Sequence, residues 1–85
     1  MAQRCAALVA YAKRHPGKHK TGDLVHSLKR WVTFEGLTDQ SRRNIIGELL
    51  GLAVSGKLDA LTKFLIVTKE TAKNRKPTFT LELRQ

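Results

Sequence analysis

Cysteine, proline, aromatic side chains and acidic groups are all scarce in this chain of 85 residues, and each scarcity excludes something. With one cysteine, Cys5, no disulfide can close within the chain. Cys5 falls with Leu8, Val9 and Ala12 on one face of a helix, where a free thiol acts as a small hydrophobe. The 7 acids face 16 Lys and Arg. They lie scattered, mostly beside basic residues, so no carboxylate pair for general acid–base work is in view. His15, His19 and His26 have no cysteine pair or acidic cluster near them, and Pro16-Gly17 separates the first two from any shared helical face, so no metal site is expected. Gly17 and Gly22 have the spacing of a phosphate-binding loop, but Asp23 follows where such a loop needs lysine. Ser27, Ser41 and Ser55 have no identifiable base. The expectation is a chain without catalytic residues, cofactor or metal.

Long apolar runs are missing too. None approaches the roughly 18 residues of a membrane span, and Arg4 with the polar breaks after it interrupts what a signal peptide keeps apolar. The expected setting is intracellular and soluble, with no membrane partner. What the chain has in excess is positive charge, +9 at a pI of about 10.3. Residues 1–34 carry seven Lys and Arg against Asp23, residues 35–56 two against three acids, and residues 57–85 seven against three. The basic excess therefore flanks a nearly neutral centre, and a balance of this kind points to a polyanion, most often nucleic acid. Length allows one domain, residues 1–85, with a single core.

The centre is the most clearly marked stretch. Thr38 suits an N-cap, Asp39 the positive end of a helix dipole, and Gly56 the left-handed residue that ends a helix. Between them Ile45, Ile46, Leu49, Leu50 and Ala53 span about 140° of arc, the width of a buried face. Gln40, Asn44, Gly47 and Gly51 lie opposite, next to Arg43, a polar face that something can approach closely.

Before it, residues 2–15 read as a first helix, with Cys5, Leu8, Val9 and Ala12 inward and Ala7, Ala10 and Arg14 outward. Pro16-Gly17 ends it. Lys18 to Thr21 is basic and suited to a brief strand. Thr21 is the predicted N-cap of a second helix over 22–32, with Leu24, Val25, Leu28, Trp31 and Val32 inward and His26, Lys29 and Arg30 outward. Phe34 and Leu37 of the connector 33–37 tuck under the helices. After the centre, 57–62 is ambiguous, and a strand is predicted from about residue 63. Thr78 to Arg84 alternates strictly, with Phe79, Leu81 and Leu83 on one face, and needs 63–70 as its partner. Residues 71–77 form the turn, a basic tip carrying Lys73, Arg75 and Lys76 with Asn74 able to take positive φ.

Four segments carry a family likeness: Leu8-Val-Ala-Tyr11 in the first helix, Lys20-Thr-Gly-Asp-Leu-Val25 opening the second, Leu37-Thr-Asp-Gln-Ser41 opening the third, and Ser55-Gly-Lys-Leu58 leaving it. With this order of elements the chain resembles the winged helix-turn-helix superfamily. The resemblance implies an α+β fold of three helices with a C-terminal two-stranded β-hairpin wing. It also implies double-stranded DNA as partner and a role as transcriptional or genome-associated regulator. On that likeness Gln40, Ser41, Arg43 and Asn44 face base edges in the major groove, Lys73, Arg75 and Lys76 form the wing, and Lys18, Lys20, Lys29 and Arg30 contact the backbone. Asn or Gln can pair bidentately with adenine and Arg with guanine. A homodimer on two half-sites, joined through Ala7 and Ala10 or the hairpin edge, fits the same expectation. Two alternatives remain at this stage: an RNA-binding or ribosome-associated module, and an interaction subunit that admits a partner helix at Gly47 and Gly51.

Overall fold

A capped, apolar-faced helix needs other apolar faces against it, and the chain supplies them from both sides. The computed structural model describes residues 2–71, 73 and 77–84. Its elements run α1 (Ala2–Arg14), β1 (His19–Lys20), α2 (Thr21–Ser27), α3 (Asp39–Val54), α4 (Asp59–Thr62), β2 (Leu65–Glu70) and β3 (Thr78–Leu83). Among the described residues the fold is α+β, with four helices and a three-stranded antiparallel sheet ordered β1-β3-β2. Among the described residues no helix is long and apolar enough to cross a membrane.

One apolar cluster joins the elements. Leu8 of α1, Leu24 and Val25 of α2, Ile46 and Leu50 of α3, Leu61 of α4, Leu65 of β2 and Leu81 of β3 are all fully enclosed. β3 lies between the other strands, pairing His19 with Leu81 on one side and Val67 with Leu81 on the other. The brief strand expected at 18–21 is thus present. Pairing on both edges also buries Thr80, which simple alternation assigned to solvent.

Helix α3 keeps its predicted ends. The Ser41 backbone N–H donates to Thr38 Oγ1 at 3.1 Å, and Gly56 takes φ 74°. Its buried arc is rotated from the expected one, since Ile45 is only half-buried while Arg42 is sealed in.

The second helix differs most from expectation. It stops at Ser27, and Thr21 does not cap it: the Thr21 hydroxyl instead donates to Phe79 O of β3 at 3.4 Å. Beyond Leu28 the backbone N–H groups of Trp31, Phe34 and Leu37 donate to the carbonyls of Leu28, Trp31 and Phe34, each three residues back. Apolar residues at 28, 31, 34 and 37 match that three-residue period, and β-branched and aromatic neighbours disfavour a continuing α-helix. Val32 falls off the period, so it is 88% exposed instead of inside. The same connector brings Trp31 over α1 and encloses Ala7, which was expected on the outer face.

The ambiguous stretch after α3 divides. Asp59 to Thr62 is one short helical turn, and the strand begins at Leu65, not 63. At the hairpin Lys73 is exposed, while Asn74, Arg75 and Lys76 lie outside the described residues.

Candidate nucleic-acid interface

The residues expected to read a ligand open from the first two turns of α3. Cap geometry arranges the first of them, because the Thr38 hydroxyl that accepts from the Ser41 backbone also donates to Ser41 Oγ at 3.0 Å. Ser41 is therefore half-buried and engaged in the cap. Gln40 and Asn44 are one turn apart, and the Gln40 side-chain amide donates to the Asn44 carbonyl at 2.9 Å. Each amide keeps free groups after that bond, a donor and an acceptor on both side chains. Arg43, beside them, is exposed.

Gln40, Arg43 and Asn44, but not Ser41, line a cleft of about 500 Å³ together with Lys20 and Asp23, whose walls are completed by Pro77, Thr78 and Phe79 at the root of the hairpin. Three separate parts of the sequence meet here: the β1–α2 junction, the outer face of α3 and the start of β3. Asp23 is the acid in a cleft that otherwise carries Lys20 and Arg43. The two glycines of α3 play different parts. A Cβ on Gly51 would sit 3.7 Å from the Phe79 ring, so this glycine lies against the sheet. Gly47 lines the cleft, and a Cβ there would meet nothing within 4 Å.

Not every predicted contact residue gathers at this place. Lys18 is exposed just ahead of β1, and Lys73 is exposed on the hairpin. Lys29 and Arg30 are exposed beyond the C-terminal end of α2, whereas the cleft forms at its N-terminal end. Arg30 borders a different surface with Arg14 and Trp31. Arg75 and Lys76 lie outside the described residues.

Sequence reasoning passed over Arg42, which holds the site in place from behind. It is 4% exposed. Its Nε donates to Val25 O at 2.9 Å and one terminal nitrogen to Leu37 O at 2.7 Å, while the other pairs with the Asp39 carboxylate. Val25 O belongs to the last turn of α2, where carbonyls have no helical N–H ahead of them. A single guanidinium thereby ties α2, the connector and the first turn of α3. The signal was available: Arg42 stands four residues before Ile46, on the stripe continued by Leu49, Leu50 and Ala53.

The histidines come together more closely than Pro16-Gly17 suggested. His15 and His19 both pack their rings on Tyr11, with centroids at 4.7 and 5.0 Å, and His19 Nε2 donates to His15 O. Among the described residues no three His, Cys, Asp or Glu side chains group as metal ligands. Burial pushes the Cys5 thiol above its ordinary value of 9.0, which keeps it protonated and unreactive.

Comparison with protein-family models, with curated proteins and with solved structures finds no match to this chain.

Proposed function

We propose that the protein is a small winged helix-turn-helix DNA-binding protein, a transcriptional or genome-associated regulator that acts by binding and not by catalysis. The observation that carries this reading is the cleft in which Gln40, Arg43 and Asn44 open beside Lys20 and the root of the hairpin. Amide and guanidinium groups at the start of a helix are the groups that read adenine and guanine edges in a major groove. The root of the hairpin and the β1–α2 junction border the same cleft and would supply groups for the phosphates. The sheet order supports the same reading, because pairing β1 with β3 sets the basic 18–20 segment next to the hairpin that would form the wing.

Fluorescence anisotropy with a short duplex, at 50 and 200 mM salt, tests it. If Lys18, Lys20 and Lys73 each neutralise a phosphate, affinity falls about fortyfold over that range. Undetectable binding, or binding indifferent to salt, overturns the proposal. A duplex or single-stranded RNA that outcompetes the DNA assigns the protein to RNA instead. Asn44→Ala and Gln40→Ala should weaken binding by about tenfold each while changing the preferred sequence, the signature of base contacts.

A further inference from the structure

A second surface is built away from the cleft and shares no residue with it. It forms where the turn chain after α2 crosses α1. The Arg14 guanidinium stands 5.4 Å from the centre of the Trp31 ring, and Tyr11 meets the same ring edge-on at 6.1 Å. Arg30 and the exposed Val32 border it, with Ala6 on the α1 side. Thr33 borders this surface as well, although its hydroxyl is itself buried and has no hydrogen-bond partner among the described residues.

Each feature asks for something from a partner. Two arginines with no acid bordering the surface call for carboxylates or phosphates, and among the described residues neither arginine is in an ion pair. Stacking on Trp31 holds the Arg14 fork in place and leaves its N–H edge open for a planar oxyanion. Val32 and the indole call for an apolar side chain. An exposed valine alone is ordinary. Beside a half-buried tryptophan and an orphaned hydroxyl, it completes a site that is apolar at its centre and cationic at its rim, the arrangement of a protein interface.

We infer that this surface binds an acidic segment of another protein, taking an apolar side chain against Trp31 and Val32 and neighbouring carboxylates on Arg14 and Arg30. A duplex backbone would satisfy the arginines but offers nothing for Val32. Since the surface is separate from the cleft, it stands or falls independently of the proposed DNA binding. Together the two faces would let the chain hold a nucleic acid and an acidic protein at once.

The chain's one tryptophan reports directly on this site. Trp31 emission is followed while a synthetic peptide that sets paired glutamates beside a leucine is added. A saturable change is expected, with none from the same peptide carrying glutamines. Arg14→Gln with Arg30→Gln should weaken binding about tenfold or more. Val32→Ser, at an exposed position where folding is not at stake, should weaken it by a smaller factor. No emission change up to millimolar peptide overturns the inference. So does equal binding of the glutamine peptide, unchanged affinity in the double variant, or displacement of the peptide by duplex DNA with the same emission change.

Discussion

Replacing Arg42 by methionine tests how α3 is held. Methionine fills much of the volume of the arginine stem, so packing is largely kept and the loss falls on the guanidinium bonds. Two of those bonds go to the carbonyls of Val25 and Leu37. Bonds to a charged donor contribute about 1.5–3 kcal/mol each, for a gross loss of about 3–6 kcal/mol. The partner carboxylate is no added burden, because the Asp39 side chain is 69% exposed and rehydrates. Against the loss stands the relief of no longer burying a cation, a few kcal/mol. The expected net destabilisation is about 1–3 kcal/mol, a fall in Tm of about 5–20 °C for a domain this small. Chemical denaturation followed by circular dichroism measures it. Arg42→Lys should recover only part of the loss, since one ammonium cannot reach two carbonyls and a carboxylate as a planar fork does. If Arg42→Met lies within about 0.5 kcal/mol of the parent, or lysine restores full stability, the clamp does not hold α3 and the reasoning fails.

Gly47→Ala should stabilise the fold by about 0.5–1 kcal/mol, since nothing crowds the new methyl, yet weaken duplex binding if DNA closes on that part of the helix; thermal melts and anisotropy read the two effects separately. Gly56→Ala should cost about 1–2 kcal/mol because the left-handed φ of 74° has to be kept, measured as a lower denaturation midpoint. For Cys5, whose buried thiol has a raised pKa, the native state holds its proton more tightly than the unfolded chain does. That contribution to stability is complete below 9.0 and is lost as pH rises from there through the raised value. A thiol reagent at neutral pH should accordingly label native protein far more slowly than denatured protein, and equal rates would show the site open.

Much of this architecture was legible because local signals agreed with one another. The Thr38 cap and the glycine at 56 bounded α3, and strict alternation from Thr78 gave β3 its buried Leu81. The basic segment at 18–21 read as a brief strand from its β-compatible residues, and the central place of β3 gives it a partner. Where the reading slipped, the period of the backbone changed. At 28–32 a helical wheel cannot describe turns that repeat every three residues, so Trp31 was placed inward for the wrong geometry and Val32 was placed inward in error, whereas Phe34, read as a connector residue tucked under the helices, is enclosed. Ala7 was misassigned for a related reason, since what covers it is this connector and not a neighbouring helix. Arg42 was missed because a charged residue on an apolar stripe is normally read as an interruption. It becomes intelligible only when two unsatisfied carbonyls from distant parts of the sequence are found within its reach.

The placement of that arginine bears on recognition as well as stability. On a helix with 100° per residue, Gln40 and Asn44 are each about 200° from Arg42, and Gly47 about 140°, so all three project from the side away from the clamp. The guanidinium bonds to Val25 and Leu37 fix the rotation of α3 about its own axis at its N-terminal end, while Phe79 against Gly51 limits it two turns further on. A helix so held has little freedom to roll, and the Gln40–Asn44 amide pair stays aimed into the cleft whether or not a ligand is there. Pre-set side chains lose less conformational entropy on binding. On the proposed DNA-binding reading, the nearly neutral α3 would contribute selectivity through fixed orientation, and the basic segments that flank it in sequence would contribute most of the attraction.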